Sequence, residues 1–319
     1  MNTVINNATK EIKKEMNGEI KMKNANDLLD RKIDIVCFID GSYVNPNGDP
    51  DTGAPRQDYE TGYGFITNGC INHNIRSTAI DMMGEEERYE IYIQNGAILN
   101  KKELGAYEKF GIKNANDVKK LKAGDSELGQ KAMSYLCNKY FDIRTHGGVM
   151  TKAKSFLLDD GQIRGAAQVT FARSVDPITI FDASITRNAI AREEDAKKKT
   201  NEIGNRYIIP YGLYRFHVHI SVKQAEKNGF TEGDYELFLK ILSNMFENNL
   251  SSAKSEMAVR ELIVFEHGST FGDCPAHKLT DAVKCKKKDG VMYPRSFDDY
   301  EIAIDTDKIP DTVTIRRMI

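Results

Sequence analysis

Three groups of residues have the types and spacing to do chemistry. The first lies in the segment 43–64, Y-V-N-P-N-G-D-P-D-T-G-A-P-R-Q-D-Y-E-T-G-Y-G, where Asn47, Asp49 and Asp51 stand at alternate positions. A calcium loop has that alternation, but here its glycine falls at 53, one place late. Pro50 and Pro55 also interrupt it, and Asp58 stands where a bidentate Glu belongs. Nearby carboxylates can instead hold Mg²⁺ against a phosphodiester, so a hydrolytic site on Asp49 and Asp51 is one alternative. The second group is His217 and His219, two apart in a strand-like run and therefore on one face. An H-x-H pair can ligate a metal, but no carboxylate or third histidine stands at a telling distance, and packing or RNA contact is the preferred role. Cys274, His277 and Cys285 form the third group, three zinc-type ligands without a clear fourth. No metal or other cofactor is expected. Nucleophile-elbow, phosphate-loop and dinucleotide fingerprints are missing and nothing pairs a general acid with a base, so no catalytic residue is expected.

Cations recur instead at the joints between elements: Arg56 in the loop, Arg76 on a helix, Lys152 and Lys154, Arg164 before a glycine, Arg173 at a strand end, and Arg187 and Arg192 further on. Guanidinium groups suit forked contact with phosphate. The net charge of −2 does not advertise a nucleic-acid binder. Phosphate contact needs only local positive charge, so the overall balance decides nothing.

The elements that must position these residues follow from the hydrophobic pattern. Segment 43–64 holds three prolines among Gly, Asn and Asp, which excludes a helix interior or a central strand. Its tight Asn, Gly and Pro turns specify a path, and it reads as an ordered functional loop. Before it, I-D-I-V-C-F-I-D-G-S-Y-V (33–44) reads as a buried strand. After it, Ile71, Ile75, Ala79 and Met82 recur at helical spacing over 66–83, with Thr67 or Asn68 as the N-cap; Gly69, His73 and Arg76 lie on the opposite side. Segment 84–124 is charged, without a clean period, and reads as an insertion. A helix is expected over 128–141. Strand-prone runs at 147–158 and 163–175, separated by the D-D-G turn at 159–161, are expected to pair. Segment 176–204 has mixed charge and no thick apolar face, as an arm would. A long strand is expected over 206–222. A helix over 231–248 has Thr231 and Asp234 spaced as a capping box. A strand is expected at 259–266, and 297–304 can add an edge strand or cover.

With the insertions set aside, the order is β-α-β-β-α-β. The expected fold class is therefore α+β, a modified ferredoxin-like or RRM core whose antiparallel sheet carries two helices on one face. The open face of such a sheet is a platform for single-stranded RNA. The expected divisions are an extension (1–32), core (33–83), a fingers-like insertion (84–162), a core strand (163–175), a thumb-like arm (176–205), core (206–266) and a C-terminal cover (267–319). Five cysteines at irregular spacings suit a reducing compartment. No apolar run approaches the roughly 20 residues that span a bilayer, and no signal peptide is evident, so a cytoplasmic protein without membrane contact is expected.

Several motifs, in order, resemble a known family: N-P-N-G-D-P-D-T-G-A-P-R with Y-E-T-G-Y-G (45–64), Q-I-R-G-A-A-Q-V-T-F-A-R-S-V-D-P-I (162–178), S-I-T-R (184–187), R-Y-I-I-P-Y-G-L-Y-R-F-H (206–217), M-F-E followed by S-S-A-K-S-E-M (245–257), P-A-H-K-L (275–279) and P-R-S-F-D-D-Y-E (294–301). They resemble the backbone subunit of the type I CRISPR Cascade complex, a RAMP-superfamily protein, most closely subtype I-C. The resemblance implies a non-enzymatic protein that polymerises along a CRISPR RNA with further copies of itself and other Cascade subunits, and meets target DNA through the guide. Arm 176–204 would be the thumb that reaches the neighbouring subunit. Implied RNA-contact residues are Asn45, Asn47, Arg56, Asn68, Asn72, His73, Arg76, Lys152, Arg164, Arg173 and Arg187. Asp49 and Asp51 would hold the loop's turns or meet the next subunit; relatives that cut RNA with an aspartate in a comparable loop keep a metal-dependent ribonuclease as the alternative. One departure is that the helix face which commonly carries Lys or Arg side by side in the family has Asn72 and His73 here. Only Arg76 keeps a permanent charge on it.

Overall fold

The computed structural model describes residues 24–84, 86–112, 126–149, 162–189 and 202–319. Lys152, Lys154 and Arg192 lie outside the described residues. Eight strands form the main sheet: β1 (Ile33–Val44), β2 (Tyr63–Ile66), β5 (Ala167–Val169), β6 (Ala172–Pro177), β7 (Phe181–Arg187), β8 (Glu202–Ile220), β9 (Met257–His267) and β12 (Val313–Arg317). Their order is β12-β9-β1-β8-β6-β2, and β5 and β7 also pair with β8. Every pairing is antiparallel. Short strands β3 (Gly147–Val149) and β4 (Gln162–Arg164) pair apart from the main sheet, as do β10 (Val283–Lys287) and β11 (Tyr300–Ile304).

Helices α1 (Asn68–Met83) and α6 (Glu232–Asn244) bury the first face of the sheet. Ile71, Ile75 and Ala79 of α1 and Tyr235, Phe238, Leu239 and Leu242 of α6 share one cluster with Ile35, Cys37 and Ile39 of β1 and Phe216 and Val218 of β8. Periodicity of 3.6 on the helices meets alternation on the strands, so each supplies an apolar face to the other. The start of α1 is fixed by the Thr67 hydroxyl, which accepts from the Cys70 N–H. At α6 Thr231 and Asp234 form the expected capping box.

The second face is not the open platform expected from the sequence. Val36 and Phe38 of β1 and Ile263 and Phe265 of β9 are fully buried there against the C-terminal segment, through Leu279 of helix α7 (Ala276–Ala282), Val283 of β10 and Tyr300 of β11. The edge strand is β12, which the sequence pattern did not disclose, whereas residues 300–304 form the small ribbon with β10. The covering segment runs from β9 to the chain end, the stretch 267–319 read from the sequence as a C-terminal cover; what its scattered apolar residues did not disclose is that it closes this face.

The charged stretch after α1 also holds more order than its composition suggests. Helices α2 (Leu99–Glu108), α3 (Ser126–Lys139) and α4 (Phe141–His146) enclose a separate cluster of Tyr92, Ala106, Tyr107, Leu136, Tyr140, Ile143 and Ile163. Within it the Tyr92 hydroxyl donates to Glu103 at 2.7 Å. Arg144, fully buried, ties this lobe to the core by donating to both oxygens of Asp234 (2.7 and 3.1 Å) and to the carbonyls of Cys137 and Asn138. A seventh helix, α5 (Val222–Asn228), follows β8. Residues 24–32, placed by the sequence in an extension, pack on the core: Leu29 is buried, and Arg31 pairs with Glu232 and with Glu266.

In the segment read as an arm, β7 and the first half of β8 form a two-stranded ribbon with Phe181 opposite Ile208 and Arg187 opposite Glu202. Most of β7 is exposed on both sides, including Phe181 and Ile185. Among the described residues no helix is long and apolar enough to cross a membrane.

Candidate nucleic-acid interface

The loop after β1 is built from its own polar side chains. Asp49 Oδ1 accepts from the N–H groups of Asp51 (3.0 Å) and Thr52 (3.3 Å), and Oδ2 pairs with Arg56 at 3.1 Å. Those backbone hydrogen bonds, helped by Arg56, hold its carboxyl below the usual range. Asn47 Oδ1 accepts from both the N–H and the hydroxyl of Thr67 (2.9 and 3.0 Å), locking the loop to the cap of α1. Asn45 donates inward to the carbonyls of Gly53 (2.8 Å) and Tyr207 (3.1 Å). Thus Asn45, Asn47 and most of Arg56, expected to face a guide, are committed to the loop; Asn45 Oδ1 and Arg56 Nε are buried without partners.

Arg76 is likewise committed. Its Nε donates to Asp142 Oδ2 at 2.9 Å, and the same buried carboxylate accepts from the N–H groups of Tyr92 (2.7 Å) and Ile93 (3.0 Å). A phosphate would have to compete with that pair.

The first turns of α1 differ. Asn68 and His73 are exposed, and Asn72 is half-buried, its Oδ1 turned away from solvent and without a partner. Partial burial, then the charges of Lys254 and Arg76, push the His73 imidazole below its ordinary value, so it is mainly neutral at pH 7. Lys254 was not singled out by residue type, although it stands in the S-S-A-K-S-E-M motif. Its loop is joined to the proline loop by Asn45 N–H to Ala253 O (2.8 Å), and Lys254 Nζ lies 3.9 Å from Cys70 Sγ. The helix start therefore combines oriented backbone N–H groups, amides and a cation, which suits a phosphate–ribose chain.

Tyr43, also missed, is 66% exposed with φ +51°, an outlier for a bulky residue. It stands opposite Pro210, which has no N–H to donate, between the pairs Ser42–Tyr211 and Val44–Ile209 of an unbroken register; the close approach of Val44 to Gly41 requires glycine there, because a Cβ would lie 2.4 Å from Val44 Cγ2. Of the remaining expected contacts, Arg164 is exposed at the end of β4, Arg173 is exposed with its guanidinium 4.4 Å from the Tyr63 ring, and Arg187 ends β7 with its Nε donating to Ala189 O.

His217 and His219 do share a face. His219 Nδ1 meets Asp34 Oδ1 at 2.5 Å, and His267 Nε2 meets the other oxygen at 2.9 Å. Burial would raise the Asp34 carboxyl, but hydrogen bonds from the two histidines and the charge of Lys32 hold it well below the usual range. Burial, then Arg215, push His217 down to about 4. Cys274 is buried with its thiol toward the Pro275 carbonyl. No group of three or more His, Cys, Asp or Glu suited to a metal occurs among the described residues.

Solved structures to which the chain is similar include a chain of "CRISPR RNA-guided surveillance complex, pre-nicking" (12% identity, TM-score 0.46, covering 73% of this chain and 78% of that one). Others are a chain of "CRISPR RNA-guided surveillance complex" (13%, 0.38, 82% and 78%) and one of "Cryo-EM structure of the Type III-B Cmr-beta bound to cognate target RNA" (11%, 0.38, 82% and 66%). No curated protein sequence matches the chain. Residues 31–305 match the family of the CRISPR-associated protein Cas7, and the chain belongs to that family.

Proposed function

We propose that this protein is a non-catalytic CRISPR RNA-binding subunit, of the type I-C kind, whose copies polymerise along a guide RNA in a cytoplasmic surveillance complex that meets target DNA through the guide. Membership of the Cas7 family over residues 31–305 carries this reading. The strand order β9-β1-β8-β6 with α1 and α6 on one face supports a modified ferredoxin-like core. The lobe of α2, α3 and α4 would be the fingers, and the ribbon of β7 and β8 the thumb. A bare two-stranded ribbon is marginally stable alone, which favours a second copy as its support.

In this reading the guide's sugar–phosphate chain lies on Asn68, Asn72, His73 and Lys254, while Asn45, Asn47, Arg56 and Arg76 shape the surface. Arg164, Arg173, Arg187 and Lys152 are further contacts. Delegating sequence to base pairing leaves the subunit only a backbone to grip. The commitment of Asp49 to its own turn argues against the alternative of a metal-dependent ribonuclease on Asp49 and Asp51.

Sedimentation of the full-length protein with RNAs of graded length tests the proposal. Copies bound per RNA are expected to rise in integer steps with length; a fixed single copy would contradict polymerisation. Incubation with RNA and Mg²⁺ checks the second part: cleavage that disappears in Asp49→Ala would establish an enzyme instead.

A further inference from the structure

The hairpin of β10 and β11 closes one side of a cleft of about 470 Å³, whose other walls are residues 176–179 and residues 210–213 of β8. On its deep side stand Tyr211, Leu213 and Tyr300, all buried. Their polar atoms are spent: the Tyr211 hydroxyl donates to Asp40 (2.9 Å) and the Tyr300 hydroxyl to Asp176 (2.8 Å). Pro177, Pro210 and Pro294 line the cleft further and carry no N–H. At the mouth, Met292 and Tyr293 are each 72% exposed. The turn that presents them is pinned. Asp299 Oδ2 accepts from the N–H groups of Arg295 (2.7 Å) and Ser296 (3.0 Å), and the Lys288 N–H donates to the Asp299 carbonyl (2.9 Å). Next to this wall Tyr43 stands opposite Pro210, exposed and in the left-handed region. Strain kept in order to hold a ring in solvent, beside two more large exposed side chains, points to a surface that another molecule covers.

We propose that this cleft docks an extended peptide segment of a partner protein, with a Leu or Phe side chain seated on Tyr211, Leu213 and Tyr300 and a neighbouring carboxylate on Arg295. The charges select the carboxylate. Asp176, the one acid lining the cleft, is matched by Lys287 (3.3 Å) as well as by Tyr300. Arg295 is exposed, and its guanidinium donates to the carbonyl of Pro294 but meets no carboxylate. A guanidinium in that state suits a forked contact with an acid. The deep side selects an apolar anchor over a nucleobase. A base would bury its hydrogen-bonding edge beside committed hydroxyls and prolines without N–H, whereas an aliphatic or phenyl group needs no partner there. A turn held rigid before binding also lowers the ordering cost that a peptide complex must meet. The inference does not depend on the guide-binding reading.

The test uses the full-length protein and three fluorescently labelled short peptides: an acidic one with a central Phe, the same with Ser in place of Phe, and the same with Lys in place of the acids. The acidic Phe peptide is expected to bind most tightly. Tyr293→Ala should weaken it roughly 5- to 30-fold, and Met292→Ala by less. Both side chains are largely in solvent, so thermal stability should not move. Arg295→Glu is expected to invert the preference, so that the Lys peptide binds more tightly than the acidic one. Equal binding of the three peptides, or affinities within about twofold of wild type for both Tyr293→Ala and Arg295→Glu, would overturn the inference. Decauridylate that displaces the peptide and itself loses affinity in Tyr293→Ala would overturn it by making the cleft a nucleic-acid site. A smaller sedimenting species of Tyr293→Ala without peptide would do so by making the cleft a contact between copies. Guide-length RNA measured alongside reports on the functional reading separately, because its binding to the wild-type protein is expected whichever way the peptide test falls.

Discussion

The proline loop and the first turns of α1 are adjacent and equally rich in amides and charge, yet they use them in opposite ways. In the loop, Asn45, Asn47 and Asp49 direct their hydrogen bonds to Gly53, Tyr207, Thr67, Asp51 and Thr52. On the helix, Asn68 and His73 are exposed to solvent. A polar side chain turned into the fold contributes to shape, whereas one exposed at a helix start is available to a ligand.

The sharpest way to break this comparison is Arg76→Ala, because Arg76 sits on the helix but belongs energetically with the loop. Removing it leaves the buried Asp142 carboxylate short of its charge partner, and an unfolding free-energy loss of about 3 kcal/mol is expected in denaturant titrations. The salt slope of RNA binding should stay at its wild-type value; a slope reduced by one would place Arg76 among the phosphate contacts. The two asparagines give a paired test. Asn47→Ala should cost about 1 kcal/mol of stability through the lost bonds to Thr67. Asn72→Ala should leave thermal stability unchanged and weaken RNA binding about fivefold, and the reverse pattern would invert the assignment.

The smallest expected effect concerns pH. His217 and His146 are pushed by burial down to about 4 and about 3 from an ordinary 6.5. Below pH 6.5 the unfolded chain takes up protons that the folded chain refuses, so stability falls as pH drops from 6.5 toward 4. Between pH 7 and 6 the loss is less than about 1 kcal/mol for each histidine. Denaturant titrations of His217→Gln across that range should show a shallower slope than wild type.

Much of the frame was legible because it rests on local patterns. The strand at 33–44, the helix with Ile71, Ile75 and Ala79, the Thr67 cap and the Thr231–Asp234 box all appear where periodicity and capping chemistry placed them. Long-range facts were not legible. The inward turn of Asn45 depends on Tyr207, 162 positions away, and the capture of Arg76 on Asp142, 66 positions away. The burial of the second face depends on residues after 267, whose weak apolar pattern becomes a core only against Phe38 and Phe265. Lys254 drew no notice as a lone lysine in a loop; its place beside His73 and Cys70 comes from tertiary contact.

The most direct measurement is of the nucleic acid that the protein carries. Full-length protein produced together with a CRISPR array transcript, purified and treated with ribonuclease, should retain RNA of discrete length, protected along its whole span by several copies of the chain. Recovery of a stable monomer free of nucleic acid, leaving the transcript fully digested, would contradict the account.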